Sequence, residues 1–223
     1  MTVVFDIDGT LTRTYSLDEE LFARTFFELY EWNLDTDWTH YRHATDQGIS
    51  EEALSRYLGR TPVSAEIVSV RERYMALLGD ELAHDPHALQ VPGAGAAIQR
   101  TIAAGYSVAF ATGCWEASAR LKLARAGVDI SDLPLSTCDD SVDRFEILRL
   151  ATERAKRMRP GKGAVYVGDG PWDFAATQKL GIAFIGIACD NSARLATLGI
   201  KHVLPDFRDF DRFLAALGEE VGA

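Results

Sequence analysis

The sequence predicts an α/β fold, a doubly wound parallel sheet into which an all-helical segment is inserted. The chain opens on a short apolar strand, VVF, that runs directly into Asp6 and Asp8. From Val91 onward, runs that are apolar throughout alternate with amphipathic helical patterns, which is typical of a parallel sheet covered on both faces. Residues 15–89 lie between these parts and carry helical signals without an apolar run of the kind that forms a buried strand.

The inserted segment is predicted to form one bundle of helices. Its first helix is expected to begin at Ser16, which forms a capping-box pattern with Glu19. The second helix is expected to follow Ser50 and to end at Gly59, and the third is expected to begin at Ser64. Serine is favoured at helix starts because its hydroxyl accepts a backbone hydrogen bond, and glycine is favoured at helix ends.

The sheet domain is expected to comprise residues 1–14 and 90–223, with residues 15–89 forming a separate α-helical cap. Further strands are predicted in the second part of this domain, within YSVAFAT, LPLS, AVYVGD, AFIGIA and HVLP. Each is flanked by a helical pattern, so the connections are those of a doubly wound sheet.

Composition limits the classes of function that the chain can perform. The formal net charge of -10 argues against a broad nucleic-acid surface, which depends on clustered Lys and Arg. The sequence shows no signal-peptide pattern of a basic region followed by an apolar region. It also has no apolar run of the roughly 20 residues that span a bilayer. We therefore expect a soluble cytoplasmic protein that binds neither nucleic acid nor membranes. We further expect a monomer or a homodimer.

The cysteines and one pair of histidines do not predict a structural metal site. Cys114, Cys138 and Cys189 are odd in number and widely separated, so they indicate neither a disulfide framework nor a thiolate zinc site. His84 and His87 flank Asp-Pro without further ligands nearby and are interpreted as surface-loop residues.

Polar residues follow three of the predicted strands, where ligands of open parallel sheets bind. Asp6 and Asp8 follow the first strand, Thr112 and Gly113 follow SVAFA, and Asp169 follows AVYVG. In an extended chain Asp6 and Asp8 face the same side, so their carboxylates are expected to share one small space. Such a pair costs stability unless a cation or a proton intervenes, and we therefore interpret it as functional.

The segments FDIDGT, FATG and GDGPWD occur in the order of the motifs of the haloacid dehalogenase superfamily, and the chain resembles that family over nearly its whole core. The branch that it resembles is that of phosphoglycolate phosphatases with an α-helical cap. This resemblance implies a Rossmann-like core, a cap inserted after the first strand, and phosphoryl transfer at the carboxyl edge of the sheet.

The resemblance implies a role for each acidic residue at this edge. Asp6 is expected to be the nucleophile that forms an aspartyl phosphate, and Asp8 the general acid and base. A Mg²⁺ ion is expected between Asp6, the backbone carbonyl of Asp8 and Asp169, and Asp173 is expected to support the metal site.

The phosphoryl oxygens are expected to bind hydrogen-bond donors. Thr112 would donate its hydroxyl and Gly113 its backbone N–H, although Thr112 in this position also fits a helix N-cap. The basic residue of the family is usually Lys, whereas Arg144 occupies the corresponding place here. Lys122 is the competing candidate, and its alternative interpretation is a solvated helix residue.

The cap is expected to select the substrate. The stretch WTHYRHATDQG concentrates Arg42, His43, Thr45 and Asp46 between two predicted helices, and we predict that these residues contact the substrate. The alternative is a solvated turn, since loops are commonly polar.

The sequence therefore predicts a Mg²⁺-dependent phosphatase that hydrolyses a small phosphorylated metabolite, a phosphoglycolate-like phosphomonoester. A sugar phosphomutase shares the aspartate pair and stays an alternative. A haloacid dehalogenase is also an alternative, although its branch keeps no acidic residue at the position of Asp8. A regulatory protein without catalysis is disfavoured because Asp6, Asp8, Asp169 and Asp173 are all present.

Overall fold

The computed structural model describes residues 1–83, 89–189 and 193–221 of the chain, so that His84 and His87 lie outside the described residues. Within these ranges, six parallel strands form one sheet in the order β3-β2-β1-β4-β5-β6. The strands are β1 (Thr2–Phe5), β2 (Ser107–Ala111), β3 (Leu135–Ser136), β4 (Ala164–Gly168), β5 (Ala183–Ile187) and β6 (His202–Leu204). The predicted α/β fold with a doubly wound parallel sheet is confirmed.

The strand order places β1 in the middle of the sheet, with β2 on one side and β4 on the other. Phe5, the last residue of β1, is paired with Phe110 of β2 and with Val167 of β4. The carboxyl ends of these three strands are therefore neighbours, and the order of the strands reverses between β1 and β4. Ligands of doubly wound sheets bind at such a reversal.

Helices surround the sheet and form the inserted segment. The insertion contains α1 (Tyr15–Tyr30), a short 3-10 helix (Trp38–His40), α2 (Asp46–Leu58) and α3 (Ser64–Glu81). The helices of the core are α4 (Ala94–Ala103), α5 (Glu116–Arg125), α6 (Arg144–Met158), α7 (Pro171–Leu180), α8 (Ala193–Ala196) and α9 (Phe210–Val221). None of the described helices is both long and apolar enough to cross a bilayer.

Two of the predicted helix starts are wrong. Helix α1 begins at Tyr15 with Thr14 at its N-cap, so Ser16 lies inside its first turn. Helix α2 begins at Asp46, ahead of Ser50, whose hydroxyl donates to the Asp46 carbonyl oxygen at 2.7 Å. A serine inside a helix can satisfy its hydroxyl in this way, so its presence alone does not mark a start. The end of α2 at Gly59 and the start of α3 at Ser64 are confirmed.

The insertion is connected to the core through two adjacent segments. The Arg13 N–H donates to the Leu89 carbonyl oxygen at 2.7 Å, and the Val91 N–H donates to the Leu11 carbonyl oxygen at 3.0 Å. The chain thus leaves the core and returns to it at the same place. The division into a core of 1–14 and 90–223 and a cap of 15–89 stays a prediction.

The cap packs onto the core through aromatic side chains. Phe22 of α1 is buried and stacks on Trp115, which precedes α5, with ring centroids 5.9 Å apart. The two residues belong to one buried cluster that extends from the cap helices to Val4 of β1. Val3 and Phe5 point to the opposite face, into a second buried cluster against α9. The carboxyl edge of the sheet consequently lies directly beneath the cap.

Candidate active site

A cavity of about 50 Å³ lies between the carboxyl edge of the sheet and the cap. Asp6, Asp8 and Asp169 line it from the core, and Asp18, Asp46 and Trp38 are among the residues that line it from the insertion. The structure therefore brings the acidic residues of two strand ends under the inserted helices.

Asp6 lies deepest among these carboxylates and is paired with an arginine. The Arg144 Nη1 atom is 3.3 Å from Asp6 Oδ1 and 3.1 Å from Asp173 Oδ1. Burial raises the pKa of Asp6 well above its ordinary value, and the neighbouring Asp173 raises it further, while Arg144 opposes both. Arg144 also donates from Nε to the Ala44 carbonyl oxygen at 3.1 Å, which connects it to the cap.

The carboxylates of Asp6, Asp169 and Asp173 form an acidic group suited to a divalent ion. Each offers an oxygen, and these oxygens lie within 4.8 Å of one another. Gly9 permits this approach, because a Cβ atom there would lie 2.1 Å from Asp169 Oδ2. Hard ions such as Mg²⁺ prefer carboxylate oxygens, so the donor set fits the ion that the sequence predicts.

Whereas Asp6 pairs with Arg144, the Asp8 side chain pairs with Lys122. Its Oδ1 atom is 2.9 Å from Lys122 Nζ and accepts a hydrogen bond from the Thr14 hydroxyl, and its Oδ2 atom accepts one from Cys114 Sγ at 2.6 Å. Burial raises the pKa of Asp8, but Lys122 and these hydrogen bonds outweigh burial and leave the pKa lowered. Strand β1 ends at Phe5, so strand alternation does not place the two carboxylates in one acidic group.

Lys122 is not a solvated residue, and that interpretation was wrong. Its side chain is fully buried, with Nζ 2.5 Å from Asp18 Oδ2 as well as 2.9 Å from Asp8 Oδ1. Burial lowers the pKa of Lys122, but Asp18 and Asp8 outweigh burial and leave that pKa raised. Asp8, Asp18 and Cys114 also form a group with metal-ligand spacing, and the Lys122 ammonium lies among them, 2.9 Å from Asp8 Oδ1 and 3.4 Å from Cys114 Sγ.

Thr112 and Gly113 lie at the end of β2, beside Arg144. The Thr112 hydroxyl oxygen accepts a hydrogen bond from the Cys114 N–H at 3.2 Å. Helix α5 has Trp115 at its N-cap position, so the N-cap interpretation of Thr112 is wrong. A Cβ atom at Gly113 would lie 2.7 Å from Arg144 Nη2, so only glycine lets the backbone come this close to the guanidinium.

Two of the four predicted cap residues lie at the interface between the cap and the core. Thr45 caps helix α2, because its hydroxyl oxygen accepts from the Gly48 N–H at 3.2 Å. Asp46 is 7% exposed, and its Oδ2 atom accepts from the Trp115 N–H at 2.9 Å and from the Ser118 hydroxyl at 3.4 Å. Asp46 therefore caps a core helix from the insertion, and both residues line the cavity above the aspartates.

Arg42 and His43 lie elsewhere. They line a larger cavity of about 780 Å³ that is bordered mainly by α2 and α3. Neither residue is among those that line the cavity above Asp6. The four predicted cap residues are thus divided between two cavities.

Sequence reasoning missed the partners of the predicted residues. Asp18 and Lys122 neutralise each other beside Asp8, and the buried Tyr166 hydroxyl donates to Asp173 Oδ1 at 3.3 Å. A usable signal was present for Asp18, which lies one turn before the buried residues Leu21 and Phe22 on the same helix face.

Comparisons with known proteins identify a matching family and a shared fold. The model of a family described as haloacid dehalogenase-like hydrolase matches residues 1–181. No curated protein matches the chain.

Solved structures share the fold along nearly the whole chain. A hydrolase from Pseudomonas syringae is 19% identical, with a TM-score of 0.74 over 96% of this chain and 98% of that chain. CbbY from Rhodobacter sphaeroides, solved in complex with phosphate, is 21% identical, with a TM-score of 0.71 over 94% and 95% of the two chains. A predicted phosphoglycolate phosphatase from Haemophilus somnus is 14% identical, with a TM-score of 0.60 over 96% and 97% of the two chains.

Proposed function

Because the chain belongs to the haloacid dehalogenase-like hydrolases, we propose that it is a Mg²⁺-dependent phosphatase of small phosphomonoesters, of the phosphoglycolate phosphatase-like type. The observation that carries this proposal is the pairing of the buried Asp6 with Arg144 beside the acidic group of Asp6, Asp169 and Asp173. A carboxylate nucleophile, a fixed cation and a site for a divalent ion are the parts that phosphoryl transfer requires. The phosphate in the CbbY structure is consistent with this chemistry.

In the proposed reaction, an Asp6 oxygen attacks phosphorus and the bond from phosphorus to the ester oxygen breaks. The departing alkoxide takes a proton from Asp8, and Asp8 later removes a proton from the water that attacks the aspartyl phosphate. That attack breaks the bond between phosphorus and Asp6 and releases inorganic phosphate. Mg²⁺ would be held by Asp6, Asp169 and the Asp8 backbone carbonyl, with Asp173 in support. When bound, it would supply positive charge that offsets the negative charge of the phosphoryl oxygens.

Other residues would orient the phosphoryl group. Arg144 is a permanent cation held beside Asp6, and the Thr112 hydroxyl and the Gly113 N–H can donate to phosphoryl oxygens. Asp8 is ionised in the described arrangement, since its pKa is lowered, which suits its role as the base. To act as the acid of the first step, its carboxyl group must leave Lys122 and carry a proton.

The cavity size has a consequence for substrate entry. A volume of about 50 Å³ accommodates a few water molecules, whereas a phosphomonoester is larger. We therefore propose that the cap moves away from the sheet edge to admit substrate and then closes over the bound substrate, around a larger space than the described cavity, to exclude water, as lids do in other enzymes.

Hydrolysis of p-nitrophenyl phosphate tests this function. We expect turnover with Mg²⁺, loss of turnover with a chelator, and a fall of at least about a thousandfold in kcat for Asp6→Asn, which removes the nucleophile. Asp211→Asn, an equal change of charge on α9, serves as the control. Near-normal turnover by Asp6→Asn with Mg²⁺ present would rule out the covalent mechanism.

Product analysis separates the alternatives. Release of inorganic phosphate indicates a phosphatase, transfer of phosphate within a sugar indicates a phosphomutase, and halide release indicates a dehalogenase. The cytoplasmic location and the monomeric or homodimeric state stay predictions.

A further inference from the structure

The cap side of the active-site cavity is acidic and aromatic. Asp18 and Asp46 line it together with Tyr15, Phe22 and Trp38. Among the described residues, Arg144 is the only cationic side chain on the cavity wall. The part of a substrate that points away from the phosphate would meet these cap residues.

The cations near the cavity already have acidic partners. Arg144 lies between Asp6 and Asp173, and Lys122 lies between Asp8 and Asp18. Neither is available to pair with a second anion on the substrate without giving up a buried carboxylate, which is unfavourable. A carboxylate or a second phosphate at the far end of the substrate would therefore face negative charge.

Asp46 differs from the other buried carboxylates of the site because no described cation forms an ion pair with it. Both of its side-chain hydrogen bonds are accepted by Oδ2, which leaves Oδ1 without a hydrogen-bond partner among the described residues. Burial raises the pKa of Asp46 to about 6, although the more distant Lys122 and the Trp115 N–H oppose this rise, so the group is ionised at neutral pH at a cost.

Capping of α5 does not by itself require this charge. Asn and Ser cap helices about as well as Asp. The helix N-terminus offsets part of the negative charge, but this attraction is smaller than the cost of burying a carboxylate without a cation. A buried carboxylate is usually paired with a cation, and here Asp46 and the aromatic residues line the same cavity.

We infer that the substrate is the monophosphate of a small amino alcohol, whose ammonium group pairs with Asp46 Oδ1 and packs against the rings of Tyr15 and Trp38. Ammonium groups bind carboxylates and the faces of aromatic rings. This inference rests on the proposed phosphatase function and specifies its substrate class. According to this inference, a substrate of the phosphoglycolate type, which ends in a carboxylate, should have a lower kcat/KM than one that ends in an ammonium group.

A series of two-carbon phosphates tests the inference on the unmodified protein. Phosphoethanolamine, 2-hydroxyethyl phosphate and 2-phosphoglycolate differ in the terminal group, which is an ammonium, a hydroxyl and a carboxylate. With Mg²⁺ at neutral pH, we expect kcat/KM to fall in that order, by at least about tenfold from first to last. Any other order, or equal values, would overturn the inference.

Asp46→Asn tests the assigned residue, since it keeps an oxygen for the Trp115 N–H and removes the charge. We expect the ratio of kcat/KM for phosphoethanolamine to that for 2-hydroxyethyl phosphate to fall by at least about fivefold. The control is Asp37→Asn, which makes the same change at a cap residue that accepts from the Thr39 N–H at 3.0 Å and does not line the cavity. An unchanged ratio in a folded Asp46→Asn protein would overturn the assignment, and if that variant does not fold the substrate series decides.

The two proposals fail differently. If the unmodified protein does not hydrolyse p-nitrophenyl phosphate or any member of the series, the phosphatase function and the inference are both wrong. If it hydrolyses p-nitrophenyl phosphate and prefers 2-phosphoglycolate, the function stands and the inference alone is wrong.

Discussion

At the residue scale, Arg144 and Lys122 are alike because each cation lies between two carboxylates. Arg144 contacts Asp6, the proposed nucleophile, whereas Lys122 contacts Asp8 and Asp18. Removing one partner from such a group leaves an uncompensated charge and destabilises a protein strongly. The two cations should therefore differ in what their loss does to catalysis more than in what it does to folding.

Substitution of each cation by alanine tests this difference. Arg144→Ala should lower kcat for p-nitrophenyl phosphate by about a hundredfold or more, because a preorganised charge at the phosphoryl group is lost. Lys122→Ala should lower the free energy of unfolding by about 3–5 kcal/mol, because Asp8 and Asp18 lose their buried partner. Urea unfolding and steady-state kinetics measure the two effects. A stable Lys122→Ala protein with the larger loss of kcat would transfer the phosphoryl role to Lys122.

Asp46 should make the stability of the protein depend on pH. Burial raises its pKa from an ordinary value of 3.8 to about 6, so the folded state binds the proton more tightly than the unfolded state. The stability contribution of the group therefore falls as the pH rises from about 4 through about 6, by up to about 3 kcal/mol. Asp46→Asn should gain stability relative to the unmodified protein over this interval, as measured by urea unfolding at pH values on either side of it. A relative loss would show that the attraction of Lys122 and the Trp115 N–H for the Asp46 carboxylate outweighs the effect of burial.

At the element scale, the turn after β1 requires glycine for two separate reasons. Gly9 has a φ of 76°, which side chains disfavour, and it lies against the Asp169 carboxylate. Gly59, at the end of α2, has a similar φ of 66°, but no atom lies within 4 Å of the position that a Cβ atom would take there. Comparison of Gly9 with Gly59 therefore distinguishes the effect of a positive φ from the effect of steric contact with Asp169.

Alanine at these glycines should distinguish the two effects. Both Gly9→Ala and Gly59→Ala should lose about 1–2 kcal/mol of stability, because alanine disfavours a positive φ. Only Gly9→Ala should also lower activity, by about ten- to hundredfold, because the new methyl group displaces Asp169. Thermal unfolding and kinetics on p-nitrophenyl phosphate measure the outcomes. Equal activity in the two variants would mean that the position of Asp169 does not matter for the reaction.

At the scale of the whole molecule, we expect the acidic group of Asp6, Asp169 and Asp173 to make the stability of the protein depend on the proposed ion. Three carboxylates with oxygens within 4.8 Å of one another repel in the folded state, and an ion that binds only the folded state stabilises it. Mg²⁺ at about a hundred times its dissociation constant should raise Tm by about 5–10 °C. Asp169→Asn should remove most of this rise, and Asp211→Asn should retain it, as differential scanning calorimetry would show. An equal rise in both variants would place the ion elsewhere.

The sequence alone determined the fold class and the position of the reactive groups along the chain. Apolar strands, helix faces and strand ends are local patterns, because side-chain periodicity decides which residues face the interior. For that reason Asp6, Thr112 and Asp169 could be placed at one edge of the sheet before the structure was known. Periodicity could also have indicated the burial of Lys122, because Ala119 and Leu123 lie with it on the buried face of α5, but the sequence interpretation missed it.

Only the tertiary structure decided which charges meet across the interior. Lys122 and Asp18 are 104 residues apart, and Arg144 and Asp6 are 138 residues apart, so no local pattern pairs them. Their contacts depend on how the cap packs against the sheet edge, which also separates Arg42 from the cavity that Asp46 lines. Periodicity tells which side of a helix is buried, whereas the partner on that side is set by the packing of distant elements.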